Sequence, residues 1–109
     1  MNNSEKLKEE ILKLKKDKRA VILAHNYQIP QIQNIADFLG DSLELSKISK
    51  DLKEEVIVFC GVRFMAETAK ILSSSKEVLL PAQDAGCPMA DMITPDELIE
   101  LKKRHPDAW

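Results

Sequence analysis

The sequence predicts an α/β fold, a three-layer αβα sandwich on a short parallel sheet of about three strands. Three observations carry that expectation. Residues 20–24 (AVILA) and 56–59 (VIVF) are continuous apolar runs, the pattern of strands covered on both faces. Each run is followed by apolar residues at helical spacing. The order that results alternates strand with helix, and parallel strands need crossovers long enough to hold a helix.

The elements follow in order. Residues 4–18 read as a helix with Leu7, Ile11 and Leu14 on one stripe. The first strand covers 20–24. Pro30 suits the first turn of the next helix, whose buried face would be Ile32, Ile35, Ala36 and Leu39, with Gly40 ending it. Asp41 caps a further helix, with Glu44 in the capping-box position and Leu45, Ile48 and Leu52 directed inward. The second strand, 56–59, is rich in β-branched residues. After Gly61 a helix runs to about Leu72, with Met65, Ala66, Ala69 and Leu72 on its inner face. Residues 78–80 form a third strand closed by Pro81, and a loop runs through Cys87. Thr94, Pro95 and Glu97 then start a last helix: a hydroxyl cap, a proline in the first turn and a capping-box carboxylate. The alternation calls for another strand after Trp109, so residues 1–109 read as one αβα domain cut short before it.

Composition narrows the function classes. The chain has 109 residues, 44% hydrophobic and 31% charged, with a formal net charge of −2. That is enough chain for one core, burying roughly two-thirds of the unfolded surface. A slightly acidic balance argues against nucleic acid as a partner. No apolar run approaches the roughly 20 residues needed to span a bilayer, and the polar start lacks a signal-peptide core. The expected location is cytoplasmic. Two cysteines, Cys60 and Cys87, without CxxC spacing, are too few for a disulfide scaffold.

Ligands of open α/β sheets bind beyond the carboxyl ends of the strands. His25, Asn26, Tyr27 and Gln28 follow the first strand, Cys60 and Gly61 close the second, and Gln83, Asp84, Gly86 and Cys87 follow the third. An imidazole at His25 can donate to a carboxylate or move a proton near neutral pH, or can simply cap the strand end. Tyr27 offers a phenol donor or is an amphipathic rim residue. Gly40-Asp41-Ser42 opens a helix, where an anion site with a Ser42 hydroxyl or plain capping are both open readings. Cys87, in Ala-Gly-Cys-Pro-Met-Ala, sits in a setting common for one iron–sulfur ligand. Cys60, ending an apolar strand, reads as packing.

Four segments together carry a resemblance to a known family. They are Leu23-Ala24-His25-Asn26-Tyr27-Gln28, Gly40-Asp41-Ser42-Leu43, Gly61-Val62-Arg63-Phe64-Met65-Ala66-Glu67 and Gly86-Cys87-Pro88-Met89-Ala90-Asp91. In their order and spacing, the chain resembles the N-terminal part of quinolinate synthases. The resemblance implies the first, incomplete domain of a three-domain enzyme that condenses iminosuccinate with dihydroxyacetone phosphate to quinolinate, a precursor of NAD. It implies a 4Fe–4S cluster with Cys87 as the first-domain ligand and two further cysteines on domains absent here. It also implies that His25 and Ser42 bind iminosuccinate and that His25 and Tyr27 act in catalysis, Tyr27 by handling protons. The family's Tyr-x-Asn strand is absent from this chain, and a single thiolate should not hold a cluster, so the chain alone is expected to be inactive. The competing reading is a stand-alone α/β anion-binding module without catalysis. A generic flavodoxin-like domain lacks support, because no glycine-rich phosphate loop follows the first strand.

Overall fold

The structure, a computed structural model, describes residues 3–108; Met1, Asn2 and Trp109 lie outside it, as does the strand expected after Trp109. Helix α1 (Asn3–Asp17) leads to β1 (Ala20–His25), α2 (Pro30–Ile35), β2 (Phe38–Gly40) and α3 (Ser42–Asp51). These are followed by β3 (Val56–Cys60), α4 (Arg63–Leu72), β4 (Glu77–Leu79), one 3-10 turn at Ala90–Met92 and α5 (Pro95–Arg104).

The sheet has four strands in the order β2-β1-β3-β4, and all pairs are parallel. The expected count of about three is therefore one short. The missing strand, β2, lies where the helix was expected to continue to Leu39. That helix ends at Ile35, because Ala36 is already extended at ψ 143°. Asp37 then ties the chain to β1. Its N–H donates to the Ile22 carbonyl (2.8 Å), its carboxylate accepts the Ile22 N–H (2.8 Å), and Lys15 of α1 donates to the same carboxylate (2.7 Å). Leu39 is consequently 45% exposed on an edge strand rather than buried on a helix.

Crossovers between parallel strands are right-handed. The chain moves one way from β1 to β2 and the other way from β2 to β3 and β4, so α2 lies on one face and α3 and α4 on the other. Packing agrees. Val21, Leu23, Ile57 and Phe59 form one core cluster with Leu45 of α3 and Met65, Ala66 and Ala69 of α4. Ile22 and Ala24, also buried, point to the opposite face, where α1 and α2 line a common groove. β1 is thus covered on both faces, as its continuous apolar run requires.

The α1 stripe stays largely exposed, and one expected burial, at Leu72, is corrected. Leu7 and Leu14 remain more than half exposed, since α1 meets the sheet chiefly through β1 and buries no residue fully. Leu72 is 46% exposed because it ends α4, past the turn that meets the sheet. The third expected strand is shifted by one residue, to Glu77–Leu79. From Pro88 onward every described residue is exposed, α5 included. The molecule measures 59 × 29 × 20 Å, with a radius of gyration of 16.8 Å, against about 13 Å for a compact chain of similar length. Among the described residues no helix is long and apolar enough to cross a membrane.

Asp37 generates the first prediction. Removing its carboxylate strands the β1 edge N–H of Ile22. Asp37→Ala is expected to cost about 1–3 kcal/mol in urea denaturation. Lys15→Ala, which removes only a partly solvated ion pair, is expected to cost less than about 1 kcal/mol. Equal losses would contradict this division.

Candidate functional site

In a parallel sheet wound in two directions, a crevice opens beyond the carboxyl ends of the strands where the direction reverses. Here that point lies between β1 and β3, which pair up to Ala24 and Cys60. The residue ending β1 is His25, and Gly61-Val62 leads from β3 into α4.

His25 is buried, 8% exposed. Its Nδ1 accepts the backbone N–H of Tyr27 at 3.1 Å. A nitrogen that accepts is unprotonated, so the neutral ring carries its proton on Nε2. No described residue bonds Nε2, which keeps contact with solvent at the rim. Among the described residues, His25 therefore keeps an unpaired N–H donor at the end of β1. The turn after it is closed by Gln28 N–H donating to the His25 carbonyl (3.1 Å) and by Asn26 N–H donating to Gly40 (3.0 Å). The Tyr27 ring lies 4.7 Å from the imidazole at 49°, a separation usual for paired rings. Its side chain is otherwise in solvent, 91% exposed.

Sheet register brings Ser42 to the same rim. His25 stands opposite Gly40, and Ser42 is two residues further on, half-buried at the start of α3. The expected cap is present: Asp41 Oδ1 accepts the Glu44 N–H at 2.8 Å, and the Asp41 carbonyl accepts the Leu45 N–H at 3.0 Å. The Leu45 bond is the first of the helix ladder, and Asp41 Oδ1 takes the Glu44 N–H, so the N–H groups of Ser42 and Leu43 stay open at the helix start. Among the described residues nothing bonds the Ser42 hydroxyl. The passage of β2 into α3 is close at Gly40: a Cβ there would sit 3.1 Å from Glu44 Cβ, and 2.8 Å from Glu44 Oε2, a flexible side-chain tip that can swing away.

Cys87 belongs to the loop after β4. Arg63 N–H donates to the Ala85 carbonyl (2.9 Å), drawing that loop over the start of α4 at the carboxyl end of β3. The thiol is free and half-buried. It lines an open cleft of about 380 Å³ with Arg63, Phe64, Glu67 and Asp84, a cleft that includes neither His25 nor Ser42. Cys60 is also free, and burial pushes its thiol above the ordinary range, in keeping with a packing role. No group of three His, Cys, Asp or Glu able to hold a metal occurs among the described residues. Cys87 fits a cluster as one thiolate, and these residues do not supply the rest.

The four sequence segments, 23–28, 40–43, 61–67 and 86–91, thus lie at one end of the sheet. The structure brings His25, Tyr27 and Ser42 together around β1 and β2, and holds Cys87 across β3 from them. Sequence reasoning missed Gln33. Its Nε2 donates to the carbonyls of Asn26 (2.8 Å) and Gln28 (3.0 Å) and so fastens the His25 turn. The only signal for it was a polar residue among the apolar positions of a short helix.

Comparison with known proteins identifies the family. A family model described as quinolinate synthetase A protein matches residues 9–109. Quinolinate synthase from Clostridium perfringens is 65% identical over 102 residues, 94% of this chain and 34% of the relative. Those from Caldicellulosiruptor bescii and Aquifex aeolicus are 62% and 57% identical, over 96% and 94% of this chain and 35% and 32% of their own lengths. The chain spans about a third of the length of these relatives. On a match running through all four rim segments, the chain belongs to the quinolinate synthase family.

Proposed function

We propose that this chain is the first αβα domain of a quinolinate synthase and that its rim at the carboxyl ends of β1 and β2 binds iminosuccinate. The observation that carries the reading is the gathering of all four family segments at one end of the sheet, on both sides of the crevice between β1 and β3. A dicarboxylate fits what is offered there. The His25 Nε2–H and the Ser42 hydroxyl donate to carboxylate oxygens, and the open N–H groups of Ser42 and Leu43 add the positive end of α3.

The whole enzyme would condense iminosuccinate with dihydroxyacetone phosphate, in the cytoplasm, for NAD biosynthesis. Tyr27, tilted beside His25 with its side chain in solvent, is placed to pass protons between substrate and water. Cys87 would be one thiolate of a 4Fe–4S cluster, with the other two cysteines on the second and third domains. When bound, such a cluster supplies a Lewis acid. This chain's part is to hold one corner of it and to keep the dicarboxylate oriented on the His25 side. With one cysteine at that position, the chain by itself is inactive.

Succinate serves as a stable probe for the dicarboxylate. Calorimetric titration of the chain is expected to show binding that weakens about 10- to 100-fold in His25→Ala, the range for hydrogen bonds to charged groups. Ser42→Ala is expected to weaken it less. Binding unchanged in both variants would sink the assignment. Anaerobic reconstitution with iron and sulfide, followed by assay with iminosuccinate and dihydroxyacetone phosphate, should give no quinolinate; turnover would overturn the inactive-fragment reading.

The two thiols should also part company. Because burial holds the Cys60 thiol up, fewer thiolates are present to react near neutrality. Peptide mapping after iodoacetamide treatment should show Cys60 alkylated more slowly than free cysteine at pH 8, with the gap narrowing as pH rises. Reaction at the rate of free cysteine would contradict the burial.

A further inference from the structure

We infer that Gln33 is a positioning residue for His25, acting through the peptide unit between Asn26 and Tyr27. This rests on the proposed role of His25 as a carboxylate donor and adds what sets its tautomer. The chain of contacts is continuous. Gln33 Nε2 donates to the Asn26 carbonyl at 2.8 Å. That carbonyl and the Tyr27 N–H are the two ends of one planar peptide, trans like every described peptide bond, so they point in opposite directions. The Tyr27 N–H then donates to His25 Nδ1 at 3.1 Å.

Geometry fixes the sense of each step. Both hydrogens of the Gln33 amide are used, since its Nε2 also donates to the Gln28 carbonyl at 3.0 Å. Its oxygen cannot take that place, because it would face two carbonyl oxygens. Gln28 in turn donates its N–H to the His25 carbonyl (3.1 Å), so the amide grips the turn at two points. A peptide whose oxygen accepts a hydrogen bond offers a more polarised N–H at its other end. The result is a one-way relay that ends by keeping Nδ1 an acceptor and Nε2 a donor. Gln33 lies at the fourth residue of α2, and a rigid α2 start is supplied by Pro30 and by the Ile29 carbonyl accepting from Ile32 and Gln33 N–H groups.

The test reads the tautomer directly. In the 109-residue chain with ¹⁵N-labelled histidine, imidazole nitrogen shifts of His25 are compared among the parent, Gln33→Met and Gln33→Glu, with Gln31→Ala on the same helix as control. Parent and control should show the Nε2–H form. Gln33→Met should lose that preference, and Gln33→Glu, which sets a carboxylate against two carbonyls, should lose it further. Thermal melting and methyl spectra of the Leu23, Leu45 and Ile57 core should stay near those of the parent. Succinate affinity should fall about tenfold in both Gln33 variants, as expected for a misdirected donor to a charged ligand. If Gln33→Met alone fails to fold, Gln33→Glu carries the comparison.

A parent ring with its proton on Nδ1, or folded Gln33 variants whose tautomer is unchanged, would overturn the inference. If the tautomer shifts as expected but no form of the chain binds succinate, the relay stands and the iminosuccinate reading is what fails.

Discussion

Strand β1 is hydrogen-bonded along both edges and covered on both faces, and the placement of His25, Tyr27 and Ser42 descends from that burial. A strand with no free edge and no free face cannot slide, because a shift of one residue would turn Val21 and Leu23 out of their cluster. Its last residue is therefore held in place, and that residue is His25. Because the chain leaves β1 in one direction and returns past it in the other, the crevice of the sheet opens at the same point. A buried strand and a topological reversal together put an imidazole where a ligand can reach it.

Around that fixed point the supporting parts are local. Register with β2 delivers Gly40 beside His25 and the start of α3 immediately after it. The cap at Asp41 takes the Glu44 N–H and leaves those of Ser42 and Leu43 open. On the other side, a single backbone bond from Arg63 to Ala85 brings the Cys87 loop toward the sheet. That side is less firmly built. From Pro88 to Ala108 no described residue is buried, so the cysteine loop is anchored on one flank only.

Much of this could be read from residues alone, and the failures have physical causes. Continuous apolar runs announced β1 and β3, because two-sided burial leaves no polar positions. Caps at Asp41 and Thr94 were legible because capping is local chemistry: both side chains accept the N–H three residues on. β2 was not legible. Three residues are too few to show a period, and the tie that makes them a strand is the long-range grip of Asp37 on Ile22. The amphipathic stripe of α1 was real in pattern but remains largely uncovered here. Among candidate residues, His25 and Cys87 were visible as unusual types after strands, and Ser42 as a hydroxyl at a helix start. Gln33 was invisible because its importance lies in a fold-dependent contact with two carbonyls.

We assign ligand binding to the β1 end of the sheet. Backbone amide shifts of the ¹⁵N-labelled chain, followed during addition of a C4 dicarboxylate, address it residue by residue. The expected perturbations fall on residues 25–28, 40–43 and 61–62, with the opposite end of the sheet, near Ala20, Val56 and Glu77, unaffected. Perturbations gathered at that opposite end, or spread evenly along the chain, would contradict it.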